Sequence, residues 1–280
     1  MVSVVAPLNY LAPQTAPLHT HAYDPPDGAP RCNGQLVAHA MPIVDARGLG
    51  DGATLQERGF VLVEQRSSTV DFHDEAQLAH GAYPEAEALV RHVTGATHAR
   101  VFDHTLRQRA AHRPPLDGMG ASFAAVREPV GRVHADYTPY SAPLRLQQVL
   151  GEAAARRAAQ GRYFIIGLWR PLLHEPLQDA PLALADARSM RRADLVPNDL
   201  IYRERRGQTY AVQHHPAHRW HYFAGQTRDE VTLFMHYDST RALAAVTGAC
   251  VHTAFEHPHT PPGAAPRQSI ELRVLAWTAN

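Results

Sequence analysis

Short apolar segments separated by turn-forming residues dominate the chain from about residue 59 onward. They are four to nine residues long and rich in Val, Ile, Leu and aromatic residues, which is typical of β-strands. Several short strands at fairly regular spacing indicate a sandwich or barrel rather than alternating βαβ units. The predicted strands are 59–63, 99–105, 130–134, 163–169, 199–203, 210–214, 220–223, 231–236, 251–255 and 269–277.

Two segments follow the helical period instead. Residues 75–93 place Ala, Leu and Val at mostly helical spacing despite Pro84, and residues 142–160 combine strong helix formers with an apolar stripe. The first 35 residues are rich in proline and small residues, which predicts an extended, loosely packed arm. We therefore expect a mainly β fold with flanking helices (α+β). Residues 36–280 would form one double-stranded β-helix domain, a cupin-like jelly roll, with a helical insertion near 142–160.

The charge balance and the lack of long apolar runs limit the partners. The 280 residues contain Lys+Arg 27 and Asp+Glu 27, whereas a nucleic-acid or anionic-membrane partner favours a basic excess. No apolar run approaches the roughly 18 residues needed to span a bilayer. The N-terminus has no basic start ahead of its apolar residues, as a secretory signal would. We expect a cytoplasmic protein with a small-molecule substrate, no nucleic-acid partner and no membrane partner.

Residue usage excludes several chemistries. The chain has no lysine, so all 27 basic residues are arginines. Schiff-base and pyridoxal-phosphate enzymes and phosphate-loop nucleotidases all need a lysine amine. The two cysteines, Cys32 and Cys250, cannot build a four-thiolate zinc or iron–sulfur site. Histidine is abundant, with 19 residues, so a histidine-based metal site stays open.

The string His134-Ala135-Asp136 follows an apolar strand and suggests such a site. Residues two apart on a strand point to the same side, so both side chains would face the interior. With His252 from a later predicted strand they make a two-histidine, one-carboxylate set, which leaves positions open and is typical of non-heme Fe(II) oxygenases. A second HxD, at residues 236–238, leaves too little chain before His252 to cross a barrel. We interpret it as packing at a strand end.

An arginine that enters the last strand suggests a co-substrate contact. A guanidinium can bind a carboxylate through two parallel hydrogen bonds, and in this class of enzyme such an arginine holds the far carboxylate of 2-oxoglutarate. Arg267 enters the strand directly, and Ser269 supplies a hydroxyl two residues on. Arg273 lies on the same face of the strand and is the rival, or a second contact.

Several strings in a fixed order resemble one known family. They are VHADYT, LWRPL, DAPLALAD, HRWHYF, DEVTLFMHYDS, VHTAFEHP and PRQSIELRVL. They are similar to the signature of the Fe(II)/2-oxoglutarate-dependent oxygenases related to cephem methoxylases and to fungal hydroxylase/desaturases and endoperoxide-forming enzymes. The resemblance covers about residue 59 to the C-terminus and implies iron ligands at His134, Asp136 and His252 and a co-substrate arginine at Arg267. One departure is that fourteen residues separate His252 from Arg267, where about ten are common in the wider class.

The expected function is oxidation of a C–H bond of a small natural-product intermediate, with release of succinate and CO₂. Fe(II), 2-oxoglutarate and O₂ are the implied cofactor and co-substrates, and no catalytic residue is expected beyond the metal ligands. The alternative is a cupin-like binding protein or a non-redox metal protein, because a fold alone does not decide function. The oligomeric state stays open, with a homodimer as one option.

Two further residues are candidates for substrate contact. Tyr137 lies beside Asp136 and could also donate a hydrogen bond that orients its carboxylate. Arg170 ends an apolar strand, where it could contact the co-substrate or the substrate at the mouth of the pocket. The alternative for Tyr137 is packing in the cavity wall. The alternative for Arg170 is a structural ion pair with Asp179 or Asp186.

Overall fold

Fourteen strands make up most of the secondary structure in the part of the chain that the computed structural model describes, which is residues 2–25, 28–52, 54–116, 127–241 and 248–278. We number them in chain order. They are β1 (Ser3–Leu11), β2 (Leu18–His21), β3 (Leu36–Asp45), β4 (Phe60–Glu64), β5 (His98–Gln108), β6 (His134–Ala135), β7 (Tyr163–Pro171), β8 (Leu182–Ala185), β9 (Leu195–Ile201), β10 (Arg206–Val212), β11 (Trp220–Tyr222), β12 (Glu230–Asp238), β13 (His252–Ala254) and β14 (Gln268–Trp277).

The strands form two sheets that face each other. The larger sheet has nine strands in the order β1-β3-β11-β8-β13-β6-β10-β9-β2, and the smaller has five in the order β4-β12-β7-β14-β5. One apolar cluster joins Trp169 and Phe234 of the smaller sheet to Leu182 and Leu184 of the larger. Because side chains from both sheets meet there, the sheets enclose a common interior. The predicted mainly β fold with a double-stranded β-helix, or jelly roll, is confirmed.

The helices pack on the smaller sheet and at one end of the interior. They are α1 (Glu75–Gln77), α2 (Tyr83–Thr94), α3 (Ser141–Leu150) and α4 (Glu152–Ala158), with a π-helical turn at Leu78–Ala82 and short 3₁₀ helices at Ala46–Gly52, Ala187–Ser189 and Arg192–Asp194. In the described residues, no helix combines the length and apolar character needed to cross a bilayer.

Local sequence explains where the helices begin and end. The Asp74 carboxylate accepts hydrogen bonds from the backbone N–H groups of Ala76 and Gln77 and so caps the first helical turn. Pro84 lies in the first turn of α2, where a missing N–H does no harm, so the segment predicted at 75–93 is helical. The helix predicted at 142–160 is two helices, because Gly151 between α3 and α4 has a φ of 78°.

Strand β7 (YFIIGLWRP) is buried on both faces along its whole length. Phe164, Ile166 and Leu168 belong to the cluster that includes the apolar face of α2. Trp169 points to the opposite side, into the interior between the sheets. Because a helix covers one face and the larger sheet the other, β7 shows no alternation of apolar and polar residues.

The N-terminal region differs from the expectation of a loosely packed arm over residues 1–35. Strand β1 pairs with β3 along its full length, and β2 pairs in parallel with β9. Leu8 and Tyr10 are 1% and 0% exposed, so β1 contributes to a core rather than lying loosely on the surface. The expectation of loose packing is wrong for these two strands, because cross-strand pairing and burial outweigh the proline content.

Some predicted strand boundaries are also wrong. The segment predicted at 130–134 is a strand only from His134, and the segments predicted at 199–203 and 210–214 end earlier, in β9 and β10. Strands β1, β2, β3 and β8 were not predicted. Strand β8 is a continuous run of four buried apolar residues, and such a short run has no period by which a strand can be recognised.

Candidate metal centre

Three side chains from two paired strands converge on the inner face of the larger sheet. His134 begins β6, Asp136 follows its last residue, and His252 begins β13. The two histidines are directly opposite each other in the antiparallel pairing of β13 with β6. One potential ligand atom from each of the three residues lies within 4.8 Å of the others. The alternation of a strand thus brings His134 and Asp136 to one side, and strand pairing adds His252.

Both histidines are held in the orientation that metal binding needs. The Nδ1 of His134 is 2.9 Å from the carbonyl oxygen of Arg132, and that of His252 is 3.0 Å from the carbonyl oxygen of Cys250. Because a carbonyl only accepts, each Nδ1 carries the proton and each Nε2 offers its lone pair. Burial, with the nearby His134, lowers the pKa of His252 to about 3, so its imidazole is neutral at physiological pH.

The carboxylate of Asp136 is fixed by an arginine from the smaller sheet. The Nε and Nη2 of Arg273 lie 3.1 and 3.0 Å from its Oδ2, and the Nε2 of His134 lies 3.3 Å from its Oδ1. Burial alone would raise the pKa of Asp136, but the charge of Arg273 is the strongest influence against it, and that pKa lies well below its usual range. Asp136 is therefore an anion at neutral pH.

Two buried residues beside the site were missed in the sequence. The Nε2 of His236 lies 3.1 Å from the Oε1 of Glu271 and 3.8 Å from the Oδ2 of Asp136. Burial would raise the pKa of Glu271, yet the charge of Arg273 and the hydrogen bond from His236 lower it to about 2. The interpretation of residues 236–238 as strand-end packing therefore holds for Asp238, which pairs with Arg162, but is wrong for His236.

A β-bulge and a glycine make room for His236. The pairing of β12 with β7 shifts register between Met235 and Tyr237, so His236 is the extra residue, and such bulges redirect side chains. A Cβ on Gly167 of the neighbouring strand would lie 2.6 Å from the Nε2 of His236 and 2.7 Å from the Cζ of Phe234. A side chain at position 167 therefore cannot coexist with this arrangement of rings.

We expect Gly167→Ala to lower the free energy of unfolding by about 1–3 kcal/mol, because buried rings would have to move in a packed core. Displacement of His236 should also weaken metal binding at Asp136. Urea denaturation and an Fe(II) titration measure the two effects. Gly263→Ala is the matched control, since a Cβ there meets nothing within 4 Å. Equal stabilities of the two variants would contradict the packing described above.

Arg267 and Ser269 lie deep in the interior. They are 2% and 1% exposed, and the Nε of Arg267 donates to the Ser269 hydroxyl at 3.0 Å. The Cζ of Arg267 lies 4.9 Å from the centre of the Trp169 ring, and Trp169 shares an apolar cluster with Phe234, whose ring centre is 4.8 Å from that of His252. Burial, with the nearby Arg107, lowers the pKa of Arg267 to about 9, so it keeps its charge at neutral pH.

Arg273 contacts several protein groups, and its expected contact with the co-substrate stays a prediction. Besides its bonds to Asp136, its Nη1 donates to Asp103 and Thr105, each at 3.1 Å, and its Nη2 lies 3.1 Å from Glu271. All three guanidinium nitrogens are thus engaged with protein groups. This arrangement suits an arginine that positions the carboxylate ligand rather than one that receives 2-oxoglutarate.

A cavity of about 600 Å³ opens beside two of the three candidate ligands, His134 and Asp136. Tyr137 also lines it, and a substrate contact of Tyr137 stays a prediction. Arg170 is not among its lining residues. Its Nη1 donates to the carbonyl of Arg228 and its Nη2 to the side chain of Gln65, so neither of the two alternatives weighed for Arg170 is found.

The donor groups fit both an iron ion and a keto acid. Two imidazoles and one carboxylate are the set that binds Fe(II) while leaving positions open. The indole N–H of Trp169, beside Arg267, is buried and has no hydrogen-bond partner among the described residues. A buried donor next to a buried guanidinium suits an anionic oxygen-rich ligand, because an unpaired donor is costly in the interior.

Comparisons with known proteins agree with this chemistry. The family described as "Oxidoreductase/YMDC permease-like domain" matches residues 8–277. The Fe(II)/2-oxoglutarate-dependent dioxygenase nvfI of Aspergillus novofumigatus is 30% identical over 260 residues, which cover 90% of this chain and 88% of nvfI. The hydroxylase/desaturase efuI of Hormonema carpetanum is 31% identical over 87% of this chain and 85% of its own length.

A solved structure gives the same result. The iron and alpha-ketoglutarate-dependent endoperoxidase NvfI matches with a TM-score of 0.86 and 27% identity over 99% of both chains. Sequence, fold and donor groups therefore agree along nearly the whole length. This chain is an Fe(II)/2-oxoglutarate-dependent dioxygenase and belongs to the family of the fungal hydroxylase/desaturases.

Proposed function

We propose that this enzyme oxidises a C–H bond of a small natural-product intermediate, using iron held by His134, Asp136 and His252 and 2-oxoglutarate held by Arg267 and Ser269. The observation that supports this best is the convergence of three ligand atoms within 4.8 Å, on paired strands, beside a cavity of about 600 Å³. A cavity of that volume suits a small molecule. The oxidation would be a hydroxylation, a desaturation or a ring formation.

The three ligands would occupy one side of the ion and leave the other side for reactants. When bound, iron and 2-oxoglutarate would supply the activation of O₂, which is the oxidant: 2-oxoglutarate is oxidised to succinate and CO₂, and the substrate C–H bond is oxidised in the same turnover. The contribution of the protein is to position the metal ligands. Arg273 holds the Asp136 carboxylate, and two backbone carbonyls hold the histidine rings, so the ligands need little rearrangement before they bind.

Arg267 would bind the far carboxylate of 2-oxoglutarate through a charge-assisted pair of hydrogen bonds. Its surroundings exclude water, because Trp169, Leu182 and Leu184 form an apolar cluster on that side of the interior. A dry, low-dielectric setting strengthens the attraction between guanidinium and carboxylate. It also protects a reactive centre from side reactions with solvent.

An anaerobic titration tests this assignment. Adding Fe(II) and 2-oxoglutarate to the metal-free protein should give a weak visible charge-transfer band, and admitting oxygen should give succinate in an Fe(II)-dependent manner. The matched control omits Fe(II). A protein that gives neither the band nor succinate would instead be the non-redox or binding protein of the alternative hypothesis.

We further propose that residues 1–35 act with residues 36–280 as one domain, since β1 and β2 pair within the larger sheet. A cytoplasmic location and the absence of a nucleic-acid partner stay predictions from the composition.

A further inference from the structure

We propose that the substrate is an anionic small molecule whose carboxylate is bound by a group of arginines along the cavity beside the iron ligands. The proposal rests on the proposed function and adds the chemical class of the substrate. It starts from the charges that line the cavity.

The cavity carries a large positive excess. Among the described residues that line it, seven are arginines and two are aspartates. The chain as a whole is balanced, with Lys+Arg 27 and Asp+Glu 27, so about a quarter of all its cationic side chains lie at this one cavity. The arginines are Arg107, Arg127, Arg132, Arg145, Arg205, Arg206 and Arg273, and the aspartates are Asp103 and Asp136.

Both aspartates form ion pairs with the same arginine. Arg273 pairs with Asp103 and Asp136, and with the buried Glu271. The other contacts are of a different kind: the Nη1 of Arg107 donates to a backbone carbonyl at 2.8 Å, and the Cζ of Arg145 lies 5.2 Å from the centre of a phenylalanine ring. Backbone carbonyls and rings do not neutralise a charge, so these two contacts add no negative charge at Arg107 or Arg145.

Glu271 and Asp136 attract Arg107 electrostatically, but both carboxylates already pair with Arg273. Within the described ranges, no carboxylate forms an ion pair with Arg107, Arg127, Arg145, Arg205 or Arg206. Burial lowers the pKa of Arg107 only to about 10, so it remains a cation at neutral pH. A buried or half-buried guanidinium without a counter-charge is costly, and an anionic ligand would offset that cost.

The iron ion and the co-substrate together do not supply negative charge to balance the arginines either. Fe(II) is a divalent cation and 2-oxoglutarate a dianion, so binding both leaves the net charge of the site unchanged. Arg267, the residue proposed to hold 2-oxoglutarate, is not one of the seven. The cationic excess therefore persists in the loaded enzyme and is available to the substrate.

The arginines converge from separate parts of the fold and differ in depth. Arg107 lies on β5, Arg145 on α3, and Arg132 two residues before the ligand His134, all half-buried. Arg205 and Arg206, at the turn between β9 and β10, are exposed at the rim. Rim charges would attract an anion, and the deeper guanidinium groups of Arg107 and Arg145, with paired donors, would then fix its carboxylate.

Matched pairs of probe molecules test the proposal. The carboxylates are benzoate, 2-naphthoate and anthracene-9-carboxylate, and each has its primary amide as the uncharged partner. Calorimetric titration of the metal-free protein without 2-oxoglutarate should show at least one carboxylate binding about ten times more tightly than its amide, as expected for a charge-assisted pair. Raising the ionic strength should weaken binding of the carboxylate and not of the amide.

Two variants locate the binding. The double variant R205Q/R206Q changes only exposed side chains and should weaken carboxylate binding several-fold, and R145Q should weaken it about tenfold or more. R157Q, at an exposed position on α4, is the control and should bind as the unaltered protein does. Circular dichroism confirms that each variant is folded.

Several results would overturn the proposal. They are equal binding of acids and amides, no binding of any acid, or unchanged binding in both R205Q/R206Q and R145Q. Loss of probe binding in R267Q with retention in R145Q would place the anion at the co-substrate site and also overturn it. These measurements need neither iron nor oxygen, so their failure is separate from failure of the charge-transfer and succinate assays that test the proposed function.

Discussion

His252→Ala should eliminate the charge-transfer band with Fe(II) and 2-oxoglutarate and reduce succinate formation by more than about a hundredfold. Loss of a residue that merely supports a ligand already costs roughly 10–100-fold in metal affinity or activity, and loss of a ligand costs more. His252 is the ligand that strand pairing alone brings to the site. Absorption titration and a succinate assay measure the two effects.

The control for this variant is His259→Ala. His259 is exposed in the segment between β13 and β14, seven residues after His252, and it should bind iron and form succinate as the unaltered protein does. Because His252 is buried, a thermal melt of the metal-free variant must show that it is folded. A folded His252→Ala protein that keeps the band and the activity would remove His252 from the ligand set.

Arg267→Ala should raise the dissociation constant for 2-oxoglutarate about 10–100-fold, since a hydrogen bond to a charged group is worth about 1.5–3 kcal/mol. Iron affinity should change little, because Arg267 bonds to Ser269 and to the carbonyl of Ala180 rather than to a ligand. The charge-transfer band gives the constant directly. Arg267→Lys should recover part of the affinity, as a lysine keeps the charge without the paired donors.

Arg273→Ala is the comparison that decides between the two arginines. It removes the cation that holds Asp136 and Glu271, so we expect weaker iron binding and lower stability, with a smaller effect on 2-oxoglutarate at saturating iron. If Arg273→Ala raised the 2-oxoglutarate constant more than Arg267→Ala does, Arg273 would be the co-substrate anchor. If neither changed it, the anchor would lie elsewhere in the cavity.

Local patterns predicted much of the centre. The two-residue spacing of His134 and Asp136 is enough to place both on one face wherever that segment is extended. The helices and most strands of the second half of the chain also follow from short-range spacing and turn residues. Strands with a weak sequence pattern were not predicted. Strand β8 has four apolar residues with no period, and the proline-containing β1 is held in place by its pairing with β3.

The neighbours of the ligands could not be predicted in the same way. His236 reaches the site because a bulge adds one residue to β12 and Gly167 opposite leaves space for the ring. Glu271 meets His236 only because β14 and β12 flank the same central strand. The spacing of residues within either strand does not predict this contact between Glu271 and His236.

The sequence by itself determined which chemical groups are available: the chain has no lysine, and it has an HxD followed by a later histidine and a later arginine. Tertiary structure alone decided that His252 lies opposite His134, that Arg273 pairs with Asp136, and that arginines from five segments share one cavity. The physical reason is that side-chain direction along a strand depends on local backbone geometry. Which residues stand opposite each other depends on strand register, and register is set by the packing of the whole core.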